Sequence, residues 1–584
     1  MALFLWAGVV HVDAATEAHS LKLTTAAGYL PGVPFLIAVD AQNSDGRPER
    51  RDWDLAATLG VSSSSVTLST NEMFLRNGRG SVLVVVTGEG DFTLRARVGE
   101  LEIQRLVRDR SAEPRVKVGG VLNGAQTVWT GVVVVTNDVT VPVGQTLTVM
   151  ADALVLFEGV TGGTTANDLI VQGAVRSLGT PAEPVTFTCV DSSMRWGQIR
   201  HTNAEPSLYQ HTIITRAGRG RAEGHTGTTP VIRPYNSKLA FEQCYLTDFA
   251  EPGVGTPGKI GQASGSDLTF VGCLFQRARM GPEISGTALA CTNTWIMDMS
   301  GPDDADGIYL HDQAAGQQVT LSGCVIAAGG DDGIDTLGSV ITVENCIVRD
   351  WNSVIEDAKG ISVFNGATHV RNSLITDCTV GVSAKADASA SVLVTINSST
   401  LHGNQTNVLA QYKSNAPGPA VDYRVTNCVL WASPVSVQSD FAETNFTIRF
   451  STLSQAWAGG GNSESDPLFI DAARHDFRLK PHSPAIDSAA PGTPPDADGS
   501  PADRGAFTFV PDAPVLNPLP GGLGSPFQFQ LVAYTNRNYV IERSSDLAGW
   551  EHLKGVWQTA ETNLVADPFE GTEPHRFYRA RLAP

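Results

Sequence analysis

The chain has 584 residues, with 41 basic and 60 acidic side chains and a formal net charge of −19. This length predicts about two to four domains, and the acidic balance argues against a nucleic-acid surface, which needs a stripe of positive charge. No apolar run reaches the roughly 18 residues that a membrane-spanning helix needs, so no such span is expected. Glycine is abundant, with 58 residues, and Val-, Ile- and Thr-rich runs are frequent, which is typical of a mostly β protein.

Residues 1–112 are predicted to form an immunoglobulin-like β-sandwich. Short alternating strands, such as 81–86 and 92–98, are separated by polar turns at the spacing of such a module. The apolar stretch at residues 1–15 is either the remnant of a secretory signal or the first strand of this domain. Both remain open because the stretch lacks the basic region with which such signals begin.

Residues 113–510 carry a repeat. Three similar phrases occur in it: Asp-Asp-Ala-Asp-Gly-Ile at 303–308, Asp-Asp-Gly-Ile-Asp at 331–335 and Asp-Ala-Lys-Gly-Ile at 357–361. Aligning their glycines brings Asp306, Asp332 and Lys359 into register, 26 and 27 residues apart. A fixed period of this size predicts a solenoid in which equivalent positions stack on one another.

Short strands at tight spacing precede these phrases, at 132–135, 139–143 and 147–149. They resemble the first coils of secreted right-handed parallel β-helices. The resemblance implies an all-β chain in which a right-handed parallel β-helix is flanked by N-terminal and C-terminal β-sandwich-like domains. In such a solenoid each residue meets its counterpart about 4.8 Å above and below.

The eight cysteines follow the same repeat. No Cys-x-x-Cys pair occurs, so a zinc site is not expected. Cys244, Cys273, Cys324, Cys346 and Cys428 each precede two apolar residues, and Thr or Ser takes the same place in other turns. This pattern predicts a ladder of small side chains inside the solenoid, with free thiols rather than disulfides.

Three C-terminal segments follow the coils. Residues 464–510 resemble the segment that closes many secreted bacterial β-helix proteins, a Pro-rich linker is predicted at 511–526, and a small β-sandwich is predicted at 527–584. The last resembles modules on secreted proteins of planctomycete- and verrucomicrobia-like bacteria, for which cell-surface attachment, sorting and carbohydrate contact remain open. The motif Asp-Ala-Asp-Gly at 496–499 is either a calcium loop or a turn.

The repeat also predicts a charged column. The residue before each aligned glycine gives the order Asp306, Asp332, Lys359, after which the column becomes neutral, and Asp331 and Asp335 flank it. Two carboxylates about 5 Å apart repel each other. A hard cation such as calcium could hold both, one carboxyl could keep a proton, or Lys359 could neutralise Asp332 in an ion pair.

The segments 305–308, 331–335, 359–361 and 369–373 resemble the family 9 polysaccharide lyases, which are β-helical pectate lyases that use calcium and a lysine base. The resemblance implies a calcium site formed by four carboxylates: Asp306, Asp331, Asp332 and Asp335. It further implies that Lys359 is the base and that Arg371 or Lys385 stabilises the negative charge developing on the substrate. In one respect the chain departs from the family, because Ser362 stands at the place of its catalytic lysine and Lys359 lies three residues earlier.

Two other functions remain open. Gly330-Asp331-Asp332 is similar to a motif of polygalacturonase-like glycoside hydrolases, which use paired carboxylates as acid and base, although Ser383-Ala-Lys385 stands where those enzymes have Arg-x-Lys. A non-catalytic surface or adhesion protein stabilised by calcium would carry the same acids. The leading hypothesis is a secreted, extracellular or cell-surface protein that cleaves an anionic polysaccharide by calcium-assisted β-elimination.

Overall fold

The computed structural model describes most of the chain: residues 17–161, 166–219, 229–249, 258–301, 304–353, 358–387, 391–412, 421–439, 445–511, 513–520, 526–535, 537–568 and 576–583. The stretch 1–15, Asp303 and Asp357 lie outside the described residues. Two compact units are present: the first comprises Met1–Ile396, Thr400–Arg424 and Trp431–Thr447, and the second Asn397–Ser399, Val425–Leu430 and Ile448–Pro584. None of the described helices has the length and hydropathy needed to cross a membrane.

The N-terminal part of the first unit is a nine-stranded, mainly antiparallel sheet. Alternate residues of a strand point to opposite faces, so residues such as Leu75, Val84 and Leu94 all reach one buried core. This confirms an N-terminal β domain. Its strands are Ser20–Thr24, Gly28–Tyr29, Pro34–Gln42, Asp54–Val61, Thr67–Leu68, Glu72–Arg76, Arg79–Thr87, Phe92–Val98 and Leu101–Asp109.

The remainder of the first unit is a right-handed parallel β-helix, as predicted. Each coil adds one strand to each of three parallel sheets, here called the first, second and third sheets in chain order. Ile308 pairs with Ile334, and Ile334 pairs with Ile361, in register along the first sheet. All three are at most 1% exposed, so stacked apolar columns form the core and hold successive coils in register.

The strands of the first unit lie as follows. An initial strand, Arg115–Val121, pairs with Val132–Val141.

The first sheet contains, after this initial strand, Val132–Val141, Leu169–Val171, Ile199–Thr202, Thr229–Tyr235, Gly258–Ser264, Met280–Ser285, Ile308–His311, Ile334–Leu337, Lys359–Phe364, Val380–Ala386, Thr406–Tyr412 and Val435–Ser439. The second sheet contains Gln126–Trp129, Thr146–Met150, Ala174–Leu178, Ser207–Gln210, Lys238–Glu242, Asp267–Val271, Ala288–Thr292, Val319–Ser322, Val340–Glu344, Ala367–Arg371 and Val392–Asn397, and later Val421–Thr426 and Asn445–Arg449. The third contains Leu154–Phe157, Val185–Cys189, Thr212–Thr215, Tyr245–Thr247, Leu274–Ala278, Trp295–Met299, Val325–Ala327, Ile347–Arg349, Leu374–Thr376 and Thr400–His402.

The corner between the second and third sheets explains the cysteine ladder. One corner residue adopts positive φ, as Asn345 and Asn372 do at 52° and 48°, a conformation that asparagine tolerates better than most residues. The next residue points inward, and the backbone N–H of Cys346 donates a hydrogen bond of 3.1 Å to Oγ of Ser373 one coil on. All eight cysteines are buried and free, which confirms the ladder.

The N-terminal domain packs on the third sheet. The buried guanidinium of Arg349 donates hydrogen bonds of 2.8 Å to the Trp53 carbonyl and to Oδ1 of Asp54, and it lies 4.2 Å over the Trp53 ring. The indole N–H of Trp295 donates to the Arg76 carbonyl at 3.1 Å. The third sheet is therefore partly covered by the domain, whereas the charged column lies on the first.

The second unit contains two antiparallel sheets around Phe529, Leu531 and Tyr539. One correction concerns the predicted linker at 511–526, because Val515–Pro518 within it is an edge strand paired with Phe527–Val532. Proline is compatible with an edge strand, whose outer N–H groups need no partner. The unit's elements are Val429–Trp431, Thr452–Leu453, Phe469–Asp471, the 3₁₀ helix Ala472–Arg474, Asp476–Leu479, Val515–Pro518, Phe527–Val532, Asn538–Ser544, Glu551–Trp557, Thr562–Asp567 and Phe577–Leu582.

The predicted closing segment and its Asp-x-Asp-Gly motif also lie in this unit. Arg504 donates a hydrogen bond of 2.8 Å to the Ser488 carbonyl within the segment and one of 2.7 Å to the carbonyl of Gly461, just before it. The Gly499 amide donates to the Asp496 carbonyl at 2.9 Å. These contacts are those of a turn, which was one of the two alternatives.

Candidate metal and carbohydrate site

The predicted charged column exists. Oδ1 of Asp306 accepts a hydrogen bond of 3.1 Å from the backbone N–H of Asp332, and Oδ1 of Asp332 accepts one of 2.9 Å from the backbone N–H of Lys359. Lys359 pairs with Val380, and Val380 with Thr406, so the column becomes neutral as expected. The Oδ1 atom of each of these two aspartates thus forms a hydrogen bond with the backbone of the next coil. Its Oδ2 atom could bind a cation or another ligand.

Three carboxylates converge at this point. Asp306, Asp331 and Asp332 each offer one oxygen, and these oxygens lie within 4.8 Å of one another. Asp306 and Asp332 are buried, whereas Asp331 is partly exposed. The cluster is therefore accessible to solvent through Asp331, so a cation could reach it.

Asp335 is a neighbour of this cluster but not a member of the three-oxygen group. It lies past the inward-pointing Ile334, on the outward face of the first sheet, opposite Tyr309 on one side and Ser362 on the other. Its charge raises the pKa of Asp306. Asp335 is thus close enough to contribute electrostatically, at the edge where a bound molecule would lie.

The negative charges of the clustered carboxylates are only partly neutralised by nearby cations, and their pKa values are raised as a result. Burial, followed by the charges of Asp335, Asp332 and Asp331, raises the pKa of Asp306 well above its usual range. Burial and Asp332 raise the pKa of Asp331 to about 7. Burial and Asp332 likewise raise the pKa of Asp335 to about 6. A divalent cation would relieve this repulsion, so the donor set fits a hard cation such as calcium.

Lys359 is held inside the cluster. Its Nζ lies 3.4 Å from Oδ1 of Asp332, and its side chain is only 1% exposed. This is the ion pair that the sequence left as one alternative. A polymer on the surface cannot reach an ammonium group at this depth, so Lys359 acts in this geometry as the partner of Asp332.

Ser362 and Lys385 lie at positions of the first sheet that alternate with the inward-pointing residues, and so on its outward face. Ser362 is buried between Asp335 and Ser383 in register, so the expected lysine position of the lyase family carries no base here. Lys385 lies two residues after Ser383, on the same face of the sheet, and is partly exposed. Burial and Asp332 raise the pKa of Asp335, and the charge of Lys385 offsets part of that rise, so Lys385 is a cationic group beside the acidic cluster.

Arg371 is not brought to the site, which corrects the assignment made for it. It ends strand Ala367–Arg371 of the second sheet, opposite Glu344. Its Nη2 donates a 2.8 Å hydrogen bond to Oε2 of Glu344, and its side chain is 56% exposed. Arg371 follows a corner of the solenoid and so lies on the second sheet. Although it is close in sequence to Lys359 and Ser362, it is on a different sheet from the acidic column.

Sequence reasoning missed Glu283, a buried carboxylate two strands from Asp335 in the first sheet. Glu283, Tyr309 and Asp335 are successive partners across the first sheet. His311 lies 3.4 Å from Oε1 of the buried Glu283 and 2.8 Å from Oδ2 of Asp312. Burial tends to lower the pKa of His311, but these carboxylates outweigh it and the pKa is raised. Only the 26-residue period, extended one coil towards the N-terminus, could have indicated Glu283.

Trp351, a candidate for stacking on sugars from the sequence, is buried and packs beneath the site. Its indole lies beneath the glycine column, where a Cβ at Gly333 or Gly329 would come within 2.8 Å or 1.9 Å of the ring. The indole N–H donates to the Ile326 carbonyl at 3.2 Å. Gly307, Gly329 and Gly333 therefore leave room for this ring, which supports the coils that carry Asp331 and Asp332.

A search with protein-family models matches residues 291–453 to the right handed beta helix region family. The match covers the coils with the acidic cluster and agrees with the three parallel sheets. No curated protein matches the chain.

Several solved structures are similar to this chain in part. Pectate lyase Pel9A shares 16% identity, covering 62% of this chain and 88% of its own, with a TM-score of 0.33. An alginate lyase from Paenibacillus sp. str. FPU-7 shares 13% identity over 53% of this chain and 99% of its own, with a TM-score of 0.23. The A-module of the Azotobacter vinelandii mannuronan C-5 epimerase AlgE6 shares 10% identity over 61% and 92%, with a TM-score of 0.24. At these scores the likenesses assign no activity to this chain.

Proposed function

We propose that this protein is a calcium-assisted lyase that cleaves a uronate-containing polysaccharide by β-elimination outside the cell. The convergence of the Asp306, Asp331 and Asp332 oxygens within 4.8 Å, beside the partly exposed Asp335 and Lys385, is the observation that carries the proposal. Calcium bound there would hold the uronate carboxylate and make the adjacent C–H more acidic.

The chain's own groups divide into two sets. Asp306, Asp331 and Asp332 would be ligands, with Asp335 at the rim, and Lys359 would fix the orientation of Asp332. Lys385 is the better candidate to contact the substrate, because Lys359 is buried. An amine in its neutral form can accept the proton next to the carboxylate, after which the bond to the leaving sugar oxygen breaks and a carbon–carbon double bond remains.

The spacing of the carboxylates favours elimination over hydrolysis with inversion. An inverting hydrolase separates its acid and base by roughly 6.5–9.5 Å to admit a water molecule. The three oxygens here lie within 4.8 Å. Carboxylates that are this close fit a shared cation better than a water-activating pair.

An extracellular location agrees with the state of the cysteines. Polysaccharides are found outside the cell, where exposed thiols oxidise. All eight thiols are buried in the ladder or elsewhere in the core. Such thiols are shielded from oxidants, so the chain would tolerate an oxidising environment without disulfides.

The test is incubation of the purified chain with polygalacturonate and, separately, with alginate, with calcium or with a chelator. A lyase releases products with the ultraviolet absorbance of an unsaturated uronate, and the chelator abolishes their formation. New reducing ends without that absorbance would identify a hydrolase instead. The absence of both, together with a calcium-dependent rise in melting temperature, would identify a non-catalytic calcium-stabilised protein.

A further inference from the structure

A second polar cavity lies in the first unit, away from the acidic cluster. It has a volume of about 480 Å³ and is lined by the N-terminal domain and by corner residues of the second and third sheets. This volume is within the usual range for small-molecule sites, roughly 300–1,000 Å³. Seven charged residues line it: Lys22, Asp40, Arg47, Glu49, Arg50, Arg51 and Arg79.

The two acids among them are already paired. Asp40 accepts hydrogen bonds of 2.8 Å and 2.9 Å from Arg79, and Glu49 accepts from Nε of Arg51 at 2.9 Å. In a chain with a net charge of −19, the lining therefore keeps an excess of positive charge. Such a local reversal of sign attracts anions.

Arg47 and Arg50 supply two of the three excess positive charges. Within the part of the chain that the structure describes, neither has a carboxylate at ion-pair distance. Nη2 of Arg50 donates to the Asn345 carbonyl at 2.8 Å, but its Nε is buried without a hydrogen-bond partner. A buried donor of this kind is costly to leave unsatisfied, and a charge-assisted hydrogen bond from another nitrogen of the same guanidinium to an anion in the cavity would offset part of that cost.

The remaining polar lining suits hydroxyl groups. Four side-chain carboxamides line the cavity: Gln42, Asn43, Gln243 and Asn293. A carboxamide can both donate to and accept from a hydroxyl. The combination of guanidinium groups for a negative charge and carboxamides for hydroxyls is complementary to an acidic sugar.

We propose that this cavity is a second carbohydrate site, which binds a sugar unit bearing a carboxylate without calcium. Arg47 and Arg50 would contact the carboxylate and the carboxamides the ring hydroxyls. The site is independent of the proposed elimination site, because the two lie on different sheets and have opposite charge. It would hold an acidic polysaccharide on the protein whether or not cleavage occurs.

The experiment is titration calorimetry of the full chain with digalacturonate, in low salt with a chelator present. Neutral digalactose and inorganic sulfate are the comparison probes. We expect digalacturonate to bind, digalactose not to bind, and Arg47→Ser to weaken binding at least about tenfold. Arg50→Met should do the same. Arg47 provides the cleaner test because it is exposed on a hairpin and, among the residues that the structure describes, forms no hydrogen bond or ion pair with the coils. Arg95→Ser, which removes a guanidinium 55% exposed on the same domain, is the matched control and should leave binding unchanged.

Three results of these titrations would overturn the proposal. The first two are that digalacturonate does not bind in the presence of the chelator, and that digalactose binds as tightly as digalacturonate. Sulfate displacing digalacturonate at equal concentration would mean an adventitious ion only and would overturn it too. Asp332→Asn should leave this binding intact, so loss of calcium-dependent cleavage in that variant would not be confused with failure of the second site.

Discussion

Oδ1 of Asp332 receives both the backbone N–H and the ammonium group of Lys359, at 2.9 Å and 3.4 Å. One carboxylate oxygen therefore fixes the lysine's main chain and neutralises its side chain, and both residues are buried. The same carboxylate also contributes an oxygen to the cluster with Asp306 and Asp331. Stability and cation binding thus depend on the same side chain.

The first prediction concerns Asp332→Asn. Removing one partner of a buried ion pair leaves the other charge uncompensated, so we expect the free energy of unfolding to fall by about 3 kcal/mol. The calcium-dependent rise in melting temperature should be lost as well. Asp267→Asn is the control, since Asp267 forms an exposed pair with Lys238 at 3.3 Å; it should cost less than about 1 kcal/mol. Equal effects of the two variants, measured by denaturant unfolding, would contradict the role of Asp332.

The second prediction concerns pH. The pKa values of about 7 for Asp331 and about 6 for Asp335 lie above their unfolded values near 3.8. The folded chain without metal therefore binds more protons than the unfolded chain between about pH 4 and pH 7, so these residues make it less stable as pH rises through that range. Calcium requires the ionised carboxylates, so its affinity should increase over the same range.

Melting curves from pH 5 to pH 8, with and without calcium, check this expectation. The calcium-induced shift should be small at the acidic end and should still be growing at about pH 7, where Asp331 is half ionised, before it levels off towards pH 8. A shift that stayed constant across the range would show that the raised carboxyl groups do not take part in cation binding.

The third prediction separates the two lysines. Lys385→Ala should lower kcat for unsaturated product by roughly 10²- to 10⁴-fold, the usual effect of removing a general base, while the melting temperature changes little. Lys359→Met should instead lower the melting temperature, because Asp332 loses its partner, and added calcium should restore much of it. If Lys359→Met abolished activity at full stability, the base would be Lys359 and the proposed division of roles would be wrong.

The fourth prediction tests the ladder. Cys346→Ser should cost no more than about 1.5 kcal/mol, because Ser373 already fills the equivalent position of the next coil and the Glu344 carbonyl, now 3.2 Å from Sγ, can accept from a hydroxyl. Cys346→Leu should cost about 1–3 kcal/mol more, since a larger side chain overfills the packed corner. Denaturant unfolding of both variants would check this, and a tolerated leucine would argue against tight packing there.

Periodicity alone located much of the fold and of the site. The inward Ile308, Ile334 and Ile361, the cysteine positions and the order Asp306, Asp332, Lys359 all follow from a repeat near 26 residues, because parallel coils place equivalent residues over one another. The same logic explains why the edge strand Val515–Pro518 was missed. It lies outside the repeat, and the prolines in and around it favour an assignment as linker.

The sequence by itself determined which residues share a column, since stacking follows directly from spacing. Only the tertiary structure decided depth and direction: that Lys359 is buried against Asp332, and that Arg371 turns away to Glu344 on another sheet. It also placed Tyr309 between Asp335 and the buried Glu283, which lies 3.4 Å from His311. It also brought Arg50 of the N-terminal domain beside Asn345 of the coils. These relationships depend on corners and on packing between distant segments, for which the spacing of residues along the chain carries no signal.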